Sequence, residues 1–252
     1  MTARISVELV PRDVASLDAD LALVRERLAA VDTVNIPDLL KFDLRSWDAC
    51  AQARAAGLDR AIPHVRAMDL PAKQAPELAE RLAARGLTEV LVVRGDPPQD
   101  MARRVHPTTS AELIRALKEV APALRVYAAF DPYREGLRSE LDGVREKLDA
   151  GADGFFSQPL FDLRFLDICA EQLAGRDVYW GIAPVVRTSS RRYWEVKNRA
   201  FFPADFEPTL AWNRRFAARA LDWAREGSHA LYFMPIRVDV AAYLEGLRPE
   251  PA

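Results

Sequence analysis

Five polar residues interrupt runs that are otherwise apolar. They are Glu8 in Ser6-Val7-Glu8-Leu9, Asn35 in Thr33-Val34-Asn35-Ile36, His64 in Ile62-Pro63-His64-Val65, Gln158 in Phe156-Ser157-Gln158-Pro159, and Asp96 just beyond Val90-Leu91-Val92-Val93. A polar group in such a run costs free energy unless it is paired or faces a polar cavity. Asp96 belongs to Arg94-Gly95-Asp96-Pro97-Pro98, where a strand-like run stops at a glycine and two prolines. An Arg, a flexible Gly and a carboxylate at the carboxyl end of a buried strand are well placed to meet a ligand. The same tripeptide also serves as a strand stop with a surface Arg–Asp pair, and so short a motif does not separate the two.

Glu8 carries the sharpest chemical expectation. Alternation puts Ser6, Glu8 and Val10 on one strand face and Val7 and Leu9 on the other. If Val7 and Leu9 pack against helices, Glu8 points into the barrel interior, where its pKa rises and suits a general acid. The plainer alternative is a salt-bridged structural Glu. Gln158 both donates and accepts, which suits a heterocycle with mixed donors and acceptors, or else a strand-end cap. His64 reads more simply as a satisfied structural group. Lys147 suits a phosphate or a solvated helix charge, and Arg187, Arg191 and Arg192 suit an anionic tail or a solvated helix start. Phe201, Phe202 and Phe206 lie in a Pro-bearing loop, where they could cover a ligand ring.

The elements that must position these residues alternate throughout. Strands are expected at residues 5–10, 33–36, 61–65, 90–93, 125–130, 154–158, 178–183 and 230–233. Helices are expected at residues 19–30, 44–56, 72–84, 111–120, 140–149, 163–173 and 238–247. Ser110 is the expected cap of the fourth helix, and Ser189 or Ser190 of the helix after strand seven. Eight strand–helix repeats of roughly 30 residues predict a single-domain (β/α)8 TIM barrel over residues 1–252, with its site at the carboxyl ends of the strands. The stretch from Tyr193 to Gly227 exceeds one repeat and predicts an extra helix or lid. No Gly-x-Gly-x-x-Gly follows the first strand, which disfavours a doubly wound sheet. Pro249 to Ala252 reads as a frayed tail.

Composition narrows the class. The chain has 252 residues with 35 basic and 37 acidic side chains, so no nucleic-acid partner is implied. No run of ~18 apolar residues predicts a membrane span, and the start lacks a signal-peptide core. The only cysteines, Cys50 and Cys169, fall in helical patterns, which fits a reducing cytoplasm. The three histidines are scattered, so no metal site is expected. A homo-oligomer is allowed but not specified.

Several motifs together resemble the methylenetetrahydrofolate reductase family. They are Ser6-Val7-Glu8-Leu9-Val10-Pro11, Pro63-His64-Val65, Arg94-Gly95-Asp96-Pro97-Pro98, Glu146-Lys147-Leu148-Asp149-Ala150-Gly151-Ala152-Asp153, Ser157-Gln158-Pro159-Leu160-Phe161-Asp162 and Gly181-Ile182-Ala183-Pro184-Val185. The resemblance implies a barrel that reduces methylenetetrahydrofolate to methyltetrahydrofolate, or runs the reverse oxidation, with electrons from NADH or NADPH. It implies Glu8 as general acid and Asp96 as a carboxylate near flavin and pterin. Gln158 becomes a folate contact, with Phe202 as a further substrate-binding candidate. Asn35, His64, Arg94, Gly95, Asp96, Phe130 and Lys147 become cofactor contacts.

The chain departs from the family's pattern at Asn35-Ile36-Pro37-Asp38, at Phe130-Asp131-Pro132-Tyr133-Arg134-Glu135 and at Glu140. All three departures lie along the flavin path. The resemblance therefore leaves two carriers, FAD or direct hydride transfer from nicotinamide. A pterin-binding barrel for methyl transfer to a cobalamin or protein partner is the alternative function.

Overall fold

Alternating apolar runs and amphipathic stretches build the barrel. In the computed structural model, which describes residues 4–97 and 104–247, the strands are β1 (Ile5–Glu8), β2 (Thr33–Ile36), β3 (Arg60–Arg66), β4 (Glu89–Val93), β5 (Arg125–Phe130), β6 (Gly154–Pro159), β7 (Val178–Ile182) and β8 (Ala230–Phe233). Each pairs in parallel with the next, and β8 closes on β1 through Ile5–Leu231, Ser6–Tyr232 and Val7–Phe233. The helices are α1 (Val14–Arg27), α2 (Ser46–Ala55), α3 (Ala75–Ala83), α4 (Ser110–Val120), α5 (Leu137–Asp149), α6 (Leu163–Gln172), α7 (Thr188–Lys197), α8 (Leu210–Gly227) and α9 (Val240–Leu244). The molecule is thus the expected (β/α)8 TIM barrel. The excess between β7 and β8 is an additional helix, with residues 201–206 looping between α7 and α8. No described helix is long and apolar enough to cross a membrane. The expectations for Pro98 and the tail from Pro249 lie outside the described residues.

Several boundaries differ from the pattern-based reading, and side-chain caps explain two of them. Helix α1 starts at Val14 rather than 19, because Asp13 accepts from the Ser16 amide at 2.8 Å while Ser16 Oγ accepts from the Asp13 amide at 3.1 Å. Thr109, not Ser110, caps α4: its Oγ1 accepts from Glu112 N, and Glu112 Oε2 accepts from Thr109 N. Neither Ser189 nor Ser190 caps α7, which starts at Thr188 without a side-chain cap. Helix α5 starts at Leu137 after Gly136, and β1 ends at Glu8, leaving Val10 exposed.

Alternation divides the core in two. Ile5, Val7, Val34, Val65, Val90 and Val92 face the helices. Ile62, Leu91, Tyr127, Phe156, Tyr179, Ala230 and Tyr232 fill the barrel interior. Phe156 stacks on Tyr179 at 4.4 Å, and Tyr127 meets both rings edge-on. Below this aromatic tier the amino-terminal end is plugged by charge. Arg60 donates through Nε to Glu89 at 2.8 Å, to the Tyr179 hydroxyl at 2.7 Å and to that of Tyr127 at 3.0 Å. Asp177 binds both Arg4 and Arg125.

Candidate active site

The rim above the aromatic tier is built from strand ends. Glu8 is the last residue of β1, and its parity with Ser6 turns it inward while Val7 and Leu9 are buried in the outer core. The residue as a whole is partly exposed. The Tyr232 hydroxyl on β8 donates to Glu8 Oε2, while Oε1 has no hydrogen bond among the described residues. Burial raises the Glu8 pKa to about 7, and the Tyr232 hydrogen bond pulls the other way. Burial, reinforced by the neighbouring carboxylate, pushes Tyr232 far above the ordinary tyrosine range, so its hydroxyl stays a donor. Edge-on contact with Phe156 at 5.2 Å holds the ring.

Two more inward residues adjoin this pair. Asn35 on β2 is level with Glu8 in register. Ser6 Oγ donates to Asn35 Oδ1 at 2.6 Å, which leaves the amide Nδ2 to donate to His64 Nε2 at 2.9 Å. The imidazole proton is thereby assigned to Nδ1. Burial depresses the His64 pKa to about 3, so the ring is neutral near pH 7. The structure therefore brings Glu8, Tyr232, Asn35 and His64 into one inner tier of polar groups.

The Arg94–Asp96 turn at the end of β4 is fixed from β3. Arg66 Nη2 donates to the Asp96 carbonyl at 2.7 Å, and Met68 N donates to the Arg94 carbonyl at 3.2 Å. Gly95 has φ +89°, so conformation calls for glycine, and a Cβ there would lie 2.8 Å from Arg66 Nε and displace that side chain. The Arg94 and Asp96 side chains are exposed. At the end of β6, Ser157 Oγ accepts from Gly181 N at 2.7 Å and donates to the Gln158 carbonyl at 2.8 Å. A Cβ on Gly181 would meet the Ser157 and Gln158 carbonyls at 2.7 and 2.9 Å, so this approach too needs glycine. Gln158 is partly exposed, and its side-chain amide has no partner among the described residues.

Other candidates stand apart from this tier. Lys147 Nζ donates to the Ala129 carbonyl at 2.8 Å and to Glu140 at 3.3 Å, tying α5 to the end of β5. The Phe130 ring is fully buried in the outer core, edge-on to Trp180. Phe202 packs between Phe161 and Phe206 at 4.4 and 4.3 Å, with the Arg191 guanidinium 5.5 Å from its ring centroid. Two cavities, of about 310 Å³ beside Arg66 and about 390 Å³ beneath the loop at Pro203, lie outside the rim, and Glu8 lines neither. Ser6, Arg66 and Tyr232 were not singled out from the sequence. Alternation in Ala230-Leu231-Tyr232-Phe233 does point Tyr232 inward, but an aromatic in a strand reads first as core.

A closed parallel barrel with polar side chains gathered at the carboxyl ends of its strands belongs to the class of barrels that carry their sites at that rim. A sequence model of the family described as methylenetetrahydrofolate reductase matches residues 26–211, and the chain belongs to that family. The 5,10-methylenetetrahydrofolate reductase of Pectobacterium carotovorum subsp. carotovorum is 30% identical over 136 residues, covering 51% of this chain and 45% of that protein. That of Escherichia coli (strain K12) is 28% identical over 137 residues, again 51% and 45%. The matched region thus spans under half the length of these curated relatives. Among solved structures, an uncharacterized protein from Clostridium thermocellum, described as binding two copies of 5-methyl-5,6,7,8-tetrahydrofolic acid, superposes with a TM-score of 0.65 at 12% identity, covering 96% of this chain and 91% of that one. A 2,3-dimethylmalate lyase superposes with a TM-score of 0.60 at 14% identity, covering 96% and 75%. These two likenesses show the fold alone. The family match takes in Asn35, His64, Arg94, Gly95, Asp96, Lys147 and Gln158. Glu8 and Tyr232 lie beyond its two ends, and closure of β8 on β1 brings them together.

Proposed function

We propose that this barrel is an oxidoreductase of the folate one-carbon pool, reducing methylenetetrahydrofolate to 5-methyltetrahydrofolate with hydride drawn from NADH or NADPH. The observation that carries the reading is Glu8, an inward carboxyl at the rim with a pKa of about 7, in a chain of this family. A proton from Glu8 to N10 of the substrate lets the C–N10 bond break, leaving an N5 iminium carbon that accepts hydride and becomes the methyl group. Reduced nicotinamide supplies that hydride and is left oxidised. Gln158, with an uncommitted amide, is the proposed pterin contact, and Asp96 the carboxylate at the other side of the mouth. An acid whose pKa lies near the working pH is the one best matched to this step.

The residues at the mouth fit a flat heterocycle such as a flavin ring, through the His64 Nδ1–H and the Arg94–Asp96 turn. The segment that would take the phosphates of FAD fits less well. Lys147 is engaged by Ala129 and Glu140, while the exposed Arg134 and Arg138 make only loose surface pairs with Asp131 and Asp142. The visible absorption spectrum of the purified protein, before and after incubation with FAD and gel filtration, distinguishes a flavoprotein from direct transfer.

The test is nicotinamide oxidation that depends on methylenetetrahydrofolate. Glu8→Gln is expected to keep 5-methyltetrahydrofolate binding and to lose turnover by ~100-fold. Near-normal turnover in that variant sinks the acid role. The Clostridium thermocellum neighbour keeps a second reading open, a pterin-binding barrel for methyl transfer. Methyl transfer without nicotinamide dependence would establish it in place of the first.

A further inference from the structure

The proposed reduction needs a proton delivered from one of the two carboxyl oxygens of Glu8. We propose that Tyr232 is the positioning residue for Glu8: its hydroxyl anchors Oε2 and leaves Oε1 to give up the proton and recover it. The inference rests on the general-acid role of Glu8.

Tyr232 comes from the strand that closes the barrel, opposite Ser6 in register and two residues before Glu8 along β1. Its ring is buried and wedged against Phe156, so the hydroxyl has little freedom to leave Oε2. That bond is the one Glu8 makes among the described residues. A phenylalanine would fill the same space without burying a hydroxyl, and a buried hydroxyl stabilises only through the partner it finds. Its principal partner here is the carboxyl, with the Asn35 amide as a second polar neighbour.

The bond also has a chemical consequence. A hydroxyl donates more strongly to a carboxylate than to the neutral acid, so it stabilises the form left after proton transfer. It opposes burial, which favours the acid. The other polar groups facing Glu8 are Asn35 on β2, an uncharged amide, and His64 on β3, kept neutral by burial. The two influences on the Glu8 pKa are burial and Tyr232, with no charged group among its causes.

The test uses the whole chain and two changes of opposite sign. Tyr232→Phe removes the donor, and 3-fluorotyrosine incorporated at Tyr232 makes it a stronger one. The first readout is the infrared carboxyl band of Glu8, isolated by subtracting the Glu8→Gln spectrum and followed against pH. The second is kcat and KM against pH. Tyr232→Phe should raise the Glu8 protonation midpoint by about one pH unit, and the fluorinated protein should lower it. The alkaline fall of kcat should move with the midpoint, while kcat below it drops about ten-fold in Tyr232→Phe at nearly constant KM. An unmoved midpoint in both proteins overturns the proposal. So does a loss of kcat that is equal at every pH, which is what a merely structural tyrosine would give. Should Tyr232→Phe fail to fold, the fluorinated protein carries the test. Should Glu8→Gln retain turnover, the acid role fails, yet the infrared midpoint still reports whether Tyr232 governs Glu8.

Discussion

Burial disfavours the charged forms of both Glu8 and His64 beneath the same rim, and their effects on stability have opposite signs with pH. Glu8 titrates near its usual 4.5 in the unfolded chain and at about 7 when folded. Below pH 4.5 both states hold the proton and its contribution is complete. From there to about 7 the unfolded chain has shed a proton that the folded chain retains, so stability falls as pH rises. His64 drops from 6.5 to about 3, so the unfolded chain binds the extra proton and stability falls as pH decreases from 6.5. The two slopes largely cancel between about pH 4.5 and 6.5, which leaves the Glu8 penalty visible on the alkaline side. Glu8→Gln should therefore be more stable than the native protein at pH 8, by up to about 3 kcal/mol, and nearly equal to it at pH 4.5. Urea denaturation at the two pH values checks this. An equal difference at both would mean that Glu8 is not held neutral by burial. A carboxyl that weakens the fold near neutral pH is the trade-off expected of the acid role proposed for Glu8.

Elements were legible wherever a periodic run was bounded by turn residues. The strands at 33–36, 125–130 and 230–233 fall where the sequence pattern puts them, because each is a short apolar run that must be buried on both faces. Helix starts were less legible, since the apolar stripe marks the buried middle of a helix and says little about its first turn. The first turn is governed by local hydrogen bonds, as Asp13 with Ser16 and Thr109 with Glu112 demonstrate. The capping box of α4 is testable in isolation from the site. Thr109→Ala removes the acceptor for the Glu112 amide and should lower stability by about 1 kcal/mol. Turnover of the folded protein should not change. A cost well below half of that would show that water replaces the threonine without penalty. Gly95 and Gly181 belong to the same scale, because Gly95 adopts a positive φ and Gly181 allows backbone to approach where a side chain could not fit, and each shapes a strand end at the rim.

At the scale of the whole molecule, closure of β8 on β1 brings together residues that no local pattern connects. Glu8 and Tyr232 are 224 positions apart, and only the cyclic register makes them neighbours. Alternation sufficed to turn Glu8 inward, since that depends on its own strand alone, while Asn35 and His64 stood out only as polar interruptions of apolar runs. It could not assign Tyr232 a partner, nor foresee that Phe130 would be sealed in the outer core while Lys147 was committed to Ala129 and Glu140. Closure also explains the charged plug at the opposite end. Arg60, Glu89 and Arg125 open β3, β4 and β5, Asp177 immediately precedes β7, and all four are covered from above by the aromatic tier of Tyr127, Phe156 and Tyr179. Burial works against the Arg60 charge, but pairing with Glu89 more than compensates, and both side chains are mostly shielded. Removing one partner of such a pair leaves the other charge poorly solvated, which costs more than the pair itself contributes. Arg60→Met should accordingly destabilise the protein by about 3 kcal/mol, since Glu89 and two tyrosine hydroxyls lose their donor. Adding Glu89→Leu should recover much of that loss, because the stranded carboxylate is then gone. The rim lies beyond the aromatic tier, so kcat per folded molecule should be unchanged in both variants. Chemical denaturation of the single and double variants measures the coupling directly. A single variant of native stability would reduce the plug to weakly interacting surface charge, and a double variant no better than the single one would move the cost from the carboxylate to the packing of the floor.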